Sequence, residues 1–163
     1  ATRAADVSSS SSNTFGNSFY NQTEGTVFSD TFSPVDSISG IFNHDYNFHD
    51  GTGSNTMRVV SSASYGTTGR QINMIDGGTN QFFNNIGSKG IFNKYAIGYK
   101  LNDTAASANS STPSTDTSCT IPLITTLSLG GSPAASNTKL TQLKRLTVWP
   151  TRLSNDTLKT ITV

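Results

Sequence analysis

Short segments in which apolar and polar residues alternate, separated by turn residues, constrain the fold of this chain more than any other sequence feature. The clearest runs from Lys94 to Leu101, where Tyr95, Ile97 and Tyr99 alternate with alanine, glycine and lysine. Similar segments recur at intervals of about ten residues with glycine, asparagine and aspartate between them, which is typical of an antiparallel β-sandwich or barrel. The sequence therefore predicts an all-β fold.

The composition agrees with two packed sheets. Only 33% of the 163 residues are apolar and 13% are charged, and serine, threonine, asparagine and glycine supply much of the rest. A sheet with one face in water needs apolar residues only at alternate positions. We expect one domain over residues 15–163, after a flexible lead-in at 1–14 that contains a serine-rich run. Since the sequence begins without methionine or an apolar signal region, we expect it to be part of a longer protein.

The net charge and the hydropathy of the sequence limit the classes of partner that this chain can have. The formal net charge of +1 argues against nucleic acid or an anionic membrane as a partner. No apolar run approaches about 20 residues, so membrane insertion is not predicted. Five of the eleven basic residues lie in 139–159. They form either a solvated sheet face and helix or a basic site for an acidic glycan, and the sequence leaves both open.

The C-terminal segment predicts a strand, a turn and a short helix. Proline cannot donate to a sheet ladder, so Pro150 is expected at the end of a strand. Ser154 is a good N-cap, and Leu158 with Ile161 gives the helix one apolar face. Alternation fails between Leu143 and Val148, which predicts a β-bulge in the strand. Trp149 is expected to pack beneath the helix.

This segment, LKRLTVWPTRLSNDTL at 143–158, resembles the ending of laminin-G/concanavalin-like jelly-roll domains in bacteriophage tail proteins. The runs YNQTEGT at 20–26, KYAIGYKLND at 94–103 and LSLGG at 127–131 also resemble that family, in the same order. Two positions depart from it: 109–110 reads Asn-Ser instead of Asn-Gly, and Cys119 replaces a glycine. The resemblance implies a two-sheet antiparallel jelly-roll sandwich with a short C-terminal helix.

The resemblance also implies a function. Such a domain would be a non-catalytic recognition module of a tail fibre or spike on the exterior of the virion, where it would bind host cell-surface polysaccharide. Tail fibres are commonly trimers, so a homo-oligomer within a longer phage protein is expected. Two alternatives remain open: a structural or decoration module that mediates assembly without binding glycan, and a fragment of a depolymerase.

The inventory of carboxylates argues against hydrolysis. Glycosidases need a close pair of Asp or Glu side chains, and the whole chain has a single glutamate, Glu24. The aspartates do not show the spacing of a pair at alternate positions on one strand face. No Gly-x-Ser-x-Gly motif marks a nucleophile, and Cys119 has no activating neighbour in the sequence. We expect no enzymatic activity.

One cluster could hold a metal: His44, Asp45, His49 and Asp50. On a regular strand the two histidines, five residues apart, lie on opposite faces, which disfavours zinc. Calcium at Asp50 with carbonyl groups of 51–55 is a weak possibility. We therefore predict no cofactor and no metal.

Aromatic rings beside amides and carboxylates are the best candidates for sugar binding, because rings stack on sugars and polar groups bond to hydroxyls. Loop tyrosines with asparagine and aspartate nearby in 43–55 and 76–80 fit this description. The candidate ligand-binding residues are Tyr20, His44, Tyr46, His49, Asp50, Tyr65, Asp76 and Asn80. Tyrosines that close the edge of the sandwich are an equally good explanation of the three rings.

Overall fold

The computed structural model describes residues 9–10, 20–32, 43–62, 69–86, 92–131 and 142–163. Within these ranges the chain forms eleven strands and one helix. They are β1 (Ser9–Ser10), β2 (Glu24–Phe32), β3 (Asn43–His49), β4 (Thr56–Ser62), β5 (Gly69–Asp76), β6 (Thr79–Asn85), β7 (Phe92–Lys100), β8 (Thr104–Ala108), β9 (Ser114–Asp116), β10 (Thr126–Leu129), β11 (Gln142–Trp149) and α1 (Asn155–Ile161). In these parts of the chain no helix is both long and apolar enough to cross a membrane.

The described strands form two antiparallel sheets. The six-stranded sheet has the order β1-β10-β3-β4-β5-β6, and the five-stranded sheet has the order β11-β2-β7-β8-β9. All the ladders are antiparallel, and the longest one pairs β2 with β7 from Glu24↔Lys100 to Phe32↔Phe92. The predicted all-β sandwich of two antiparallel sheets, closed by a short C-terminal helix, is confirmed.

The core lies between the sheets and is built from alternate residues of each strand. Its largest fully buried side chains include Tyr46, Phe48, Met57, Ile72, Met74, Tyr95, Ile97 and Tyr99. The alternation predicted for 95–101 holds up to Tyr99. Leu101 is 60% exposed, because β7 ends at Lys100 and the chain turns there.

A buried ion pair lies in this core. Nη1 of Arg70 lies 2.5 Å from Oδ2 of Asp45, and both side chains are almost fully buried. The same nitrogen donates to Oη of Tyr95 at 3.0 Å and to Oγ1 of Thr31 at 3.2 Å. Arg70 and Asp45 belong to the six-stranded sheet and the other two residues to the five-stranded sheet. The network therefore fixes the position of one sheet relative to the other.

The C-terminal helix packs on the outer side of the five-stranded sheet. Leu158 is fully buried there against Phe28, Ala96 and Ala105. Trp149, Leu153 and Ile161 are partly buried against the same cluster. The side chain of Ser154 accepts a hydrogen bond from the backbone N–H of Thr157 at 3.2 Å, so the predicted N-cap is confirmed. The ladder of β11 shifts register between Leu143 and Arg145, which confirms the predicted bulge.

Arg152 joins the helix to the sheet. Its guanidinium donates to Oδ1 of Asp103 at 3.0 Å and to Oδ1 of Asn155 at 2.6 Å. Its stem lies across β7, where a Cβ added to Gly98 would be 2.8 Å from Cδ of Arg152. Its backbone N–H donates to the carboxylate of Glu24 at 3.3 Å, and Lys100 lies 3.7 Å from the same carboxylate. Glu24, the single glutamate of the sequence, therefore helps to hold the turn before α1 against the sheet.

The two departures from the family pattern are both accommodated. Asn109 and Ser110 adopt φ values of 46° and 58°, the left-handed pair that a tight hairpin turn needs. The Asn109 side chain accepts from the backbone N–H of Lys94, and the Ser110 N–H donates to Thr162. Cys119 is fully buried with Sγ 2.9 Å from Oγ1 of Thr104, so its thiol belongs to the packed interior.

The buried pair leads to a stability prediction. Arg70→Met leaves the Asp45 carboxylate buried without its cation, so unfolding free energy should fall by about 3–5 kcal/mol. The double variant Asp45→Leu/Arg70→Met has no orphaned charge and should lose less than Arg70→Met alone. Urea denaturation measures both. An equal or greater loss in the double variant would contradict the role given to the charges.

A glycine pair gives a second, matched prediction. A Cβ on Gly25 would clash with the phenol of Tyr99, which is held by a 2.8 Å hydrogen bond to the carbonyl of Asn21. Gly25→Ala should therefore destabilise the fold by about 1–3 kcal/mol. Gly53 has open space around it and an ordinary φ. Gly53→Ala should lower the thermal midpoint little or not at all, so similar losses in the two variants would refute this account.

Candidate functional site

The outer side of the six-stranded sheet carries a polar surface made of three rows that cross the strands. We call these residues the polar face. The first row is His44, Val60, Gln71 and Asn85. The second is Ser128, Asn47, Arg58, Asn73 and Phe83. The third is Thr126, His49, Thr56, Ile75 and Asn80.

A bulge in β3 brings both histidines onto this face. His44 pairs with Val60 and Tyr46 pairs with Val59, so Asp45 is an extra residue in the ladder. Because one extra residue reverses the alternation, His44 leaves the side of Tyr46 and joins that of His49. The prediction that the two histidines lie on opposite faces is therefore wrong, since it assumed a regular strand.

A cleft of about 260 Å³ lies on the polar face. Its lining includes Arg58, Val60, Gln71, Asn73, Asn80 and Phe83. Nε of Arg58 donates to Oδ1 of Asn73 at 3.2 Å, and Nδ2 of Asn73 donates to Oδ1 of Asn80 at 2.9 Å. This chain of bonds holds the polar side chains of three neighbouring strands in place.

Two buried polar atoms beside the cleft lack a hydrogen-bond partner. They are Nδ1 of His44 and Nδ2 of Asn47, and their residues are 1% and 0% exposed. The other end of the Asn47 amide is satisfied, because Oδ1 accepts from Oγ1 of Thr56 at 2.9 Å. A buried polar group without a partner is costly and rare, so each of these two atoms requires an explanation, and a bound ligand or water molecule is one.

The two histidines are held as neutral rings. Nδ1 of His49 accepts from the backbone N–H of Gly51 at 2.9 Å, so a neutral ring carries its proton on Nε2 and directs it to Oγ of Ser128 at 2.8 Å. Burial lowers the pKa of His49. Burial, reinforced by the nearby Arg58 cation and His49, lowers the pKa of His44 to about 3. At neutral pH His44 therefore offers hydrogen bonds rather than charge.

Asp50 organises the loop after β3. One oxygen accepts from the N–H and hydroxyl of Thr52 at 2.8 and 2.6 Å, and the other accepts from Nδ2 of Asn55 at 2.7 Å. Desolvation acts to raise the pKa of Asp50, but these hydrogen bonds outweigh it and lower the pKa. Both oxygens thus have partners within the loop. In the described ranges no three His, Cys, Asp or Glu side chains are grouped as metal ligands.

The other candidates lie in different places. Tyr46 is fully buried in the core, and Tyr20 stacks between Phe48 and Tyr99 with ring centroids 5.5 and 5.6 Å apart. Tyr46 lies in β3 and not in a loop, and Tyr20 precedes β2 as a loop residue whose ring is buried, so neither ring is available to stack on a sugar. The Asp76 carboxylate accepts from the hydroxyl of Thr120 at the β5–β6 turn. Tyr65 lies outside the described residues.

The structure therefore brings His44, His49 and Asn80 together on the polar face and places Tyr20 and Tyr46 in the core. Sequence reasoning missed Arg58, Gln71, Asn73 and Phe83. A signal for the first three was present, because they alternate with core residues in β4 and β5. The residues that alternate with the core in a strand lie on its opposite face.

No protein-family model matches the sequence, and no curated protein matches it either. Solved structures do share the fold. The CBM40 carbohydrate-binding module of the Ruminococcus gnavus IT-sialidase superposes with a TM-score of 0.66 at 13% identity, over 88% of this chain and 84% of that one. The same module bound to α2,6 sialyllactose gives a TM-score of 0.67 at 14% identity, over 88% and 85% of the two chains.

Whole sialidases match over one part of their length. The leech intramolecular trans-sialidase has a TM-score of 0.63 at 16% identity, over 87% of this chain and 23% of that one. The Trypanosoma rangeli sialidase has a TM-score of 0.63 at 12% identity, over 86% and 22%. These similarities confirm the jelly-roll fold. They lend no support to the part of the resemblance that concerns phage tails.

The depressed pKa of His44 predicts a pH dependence of stability. The unfolded histidine binds a proton near its ordinary pKa of 6.5 and the folded one only near 3, so between these values the unfolded chain holds more protons. Stability should fall as the pH drops from about 6.5 to about 3. His44→Gln should lose less over that interval in urea titrations at stepped pH. Parallel curves for the two proteins would contradict the assignment.

Proposed function

We propose that the polar face binds a glycan, and that the domain is a non-catalytic carbohydrate-recognition module. The observation that carries the proposal is the pair of buried, unpartnered nitrogen atoms of His44 and Asn47 beside a polar cleft. Sugar hydroxyls both donate and accept, so they would satisfy such atoms and restore the hydrogen bonds lost on burial.

The remaining chemistry of the face suits the same class of ligand. Phe83 is 49% exposed and lies beside Asn73 in the second row. An exposed ring next to amides can stack on the apolar face of a sugar whose hydroxyls bond to the amides. The second row crosses five strands, a span of ~19 Å at the usual strand spacing. That length is more than one sugar ring, so we propose an oligosaccharide ligand.

The structural relatives support a binding role. The R. gnavus module is a carbohydrate-binding module and was solved with α2,3 and α2,6 sialyllactose. Its similarity to this chain covers most of both chains. Sialylated oligosaccharides are for this reason the first ligands to test.

The non-catalytic part of the proposal rests on the acidic residues. Glu24 accepts a hydrogen bond from the backbone of Arg152 and lies near Lys100, on the sheet opposite the polar face. Asp45 is neutralised by Arg70 in the core. The described rows of the polar face contain no carboxylate. They therefore lack the two carboxyl groups that a glycosidase uses to cleave a glycosidic bond.

The biological setting follows from the sequence resemblance alone. We propose that the domain belongs to a tail fibre or spike on the exterior of a phage virion and binds polysaccharide of the host surface. A homo-oligomer, most simply a trimer, would present several shallow sites at once. Such clustering raises avidity by about 10²–10⁴ without new contacts.

The test is a glycan array that contains 3′- and 6′-sialyllactose, lactose and purified bacterial polysaccharides, followed by NMR titration of each hit. Arg58→Gln should weaken binding about tenfold or more, because hydrogen bonds from a charged donor are strong. Arg145→Gln makes the same change on the outer side of the other sheet and should leave binding intact.

The outcomes are distinct. Saturable binding with chemical-shift changes in His44, Asn47 and Asn73 would support the polar face as the site. Binding that Arg145→Gln weakens as much as Arg58→Gln would move the site elsewhere. If the folded domain, tested as its native oligomer, bound no glycan of the array, the proposal would be abandoned.

A further inference from the structure

A second surface lies on the opposite side of the sandwich. It consists of Phe32, Phe92, Lys94, Lys144 and Arg145 on the outer side of the five-stranded sheet, and we call it the aromatic–basic patch. The registers place Phe92 beside Phe32 and Asp30 between Arg145 and Lys94. The patch shares no residue with the polar face.

The aromatic part of the patch is exposed in a fixed geometry. Phe92 is 60% exposed, and its ring centroid lies 5.0 Å from that of Phe32. Nζ of Lys144 lies 4.8 Å from the same ring, within the range of a cation–π contact. These two contacts orient the Phe92 side chain while leaving most of its surface in water.

A cleft of about 260 Å³ opens next to the ring. It is bordered by Asp30, Phe92, Lys94, Asn109, Lys144 and Val163. Nζ of Lys94 donates to the carbonyl oxygen of Val163, and the Asn109 amide donates to Oδ1 of Asn93 at 3.1 Å. The floor of the cleft is therefore tied to the β8–β9 turn and to the residues after α1.

The charge around the cleft is unbalanced. Lys94, Lys144 and Arg145 supply three cations, against the side-chain carboxylate of Asp30 and, in the 163-residue chain, the terminal carboxylate of Val163, which Lys94 contacts. Within the described ranges no ion pair joins Asp30 to any of the three. The patch is thus a local concentration of positive charge around an exposed aromatic ring.

We infer that this patch docks an acidic protein segment that carries an apolar side chain. The cleft beside Phe92 would take the apolar side chain, and the segment's carboxylates would meet Lys94, Lys144 and Arg145. Aromatic rings and arginine are the groups that protein interfaces favour. Nζ of Lys144 lies over the Phe92 ring and occupies a face on which a sugar would stack. We therefore take a protein segment, and not a polyanionic saccharide, as the partner that fits both the charges and the rings.

The patch and the polar face lie on opposite sheets of the sandwich. A partner held on the five-stranded sheet does not contact the polar face on the six-stranded sheet, so the two sites can be occupied at once. The docking surface does not depend on glycan binding. It would serve the alternative function, in which the domain is a structural module that mediates assembly.

The test is an NMR titration of the intact 163-residue chain with a defined probe, acetyl-Glu-Glu-Leu-Phe-Glu-Glu-amide, and with hexaglutamate as comparison. Phe92→Ser should weaken binding of the probe about tenfold. Lys144→Gln should weaken it severalfold. Lys100→Gln removes the same charge from the same sheet, about 20 Å along β7 from Lys94, and should have no effect.

Each outcome of the titration either supports the docking surface or overturns it. Tighter binding of the probe than of hexaglutamate, with losses confined to Phe92→Ser and Lys144→Gln, supports the docking surface. Equal binding of the two peptides, or equal losses in Lys144→Gln and Lys100→Gln, shows general attraction between charges and overturns it. Absence of any shift at millimolar probe also overturns it, while leaving the glycan proposal untouched.

Discussion

The contact on which the rest of the structure depends is the buried ion pair between Arg70 and Asp45. Two charges in a core are tolerated only when they satisfy each other and their remaining hydrogen bonds are made, and here Tyr95 and Thr31 of the opposite sheet complete the set. The pair also shapes the outer surface. Asp45 is the extra residue of the β3 bulge, so the residue that pairs with Arg70 is also the one whose insertion places His44 on the outer side of the sheet.

The part of the C-terminal motif that follows β11 has a structural role. Trp149 and Leu153 cover the outer face of one sheet with α1, and Arg152 lies across Gly98. Thr26 fastens the same turn from β2, since its hydroxyl donates to the carbonyl of Thr151 and accepts from the N–H of Leu153. The second half of the most recognisable run in the sequence therefore attaches a helix, and the candidate glycan-binding groups lie on the other sheet.

How well the sequence predicts a feature of this structure depends on how far apart along the chain the interacting residues lie. Strands, the strand end at Pro150, the Ser154 cap and the β11 bulge depend on neighbours along the chain, so periodicity and local chemistry predict them. The placement of His44 depends on a partner of Asp45 that is 25 residues away. The stacking of Tyr20 on Phe48 and Tyr99 likewise joins distant strands. Arg58 and Asn73 were within reach of the sequence, since their alternation with the core was visible.

The burial of Cys119 has a consequence for how the molecule's motions are observed. Its thiol is fully enclosed beside Thr104, between the end of β7 and the start of β8. A thiol reagent reaches such a group only when the surrounding structure opens. The sequence contains no second cysteine that could react in its place. The rate at which a thiol reagent modifies Cys119 therefore measures how often this edge of the sandwich opens.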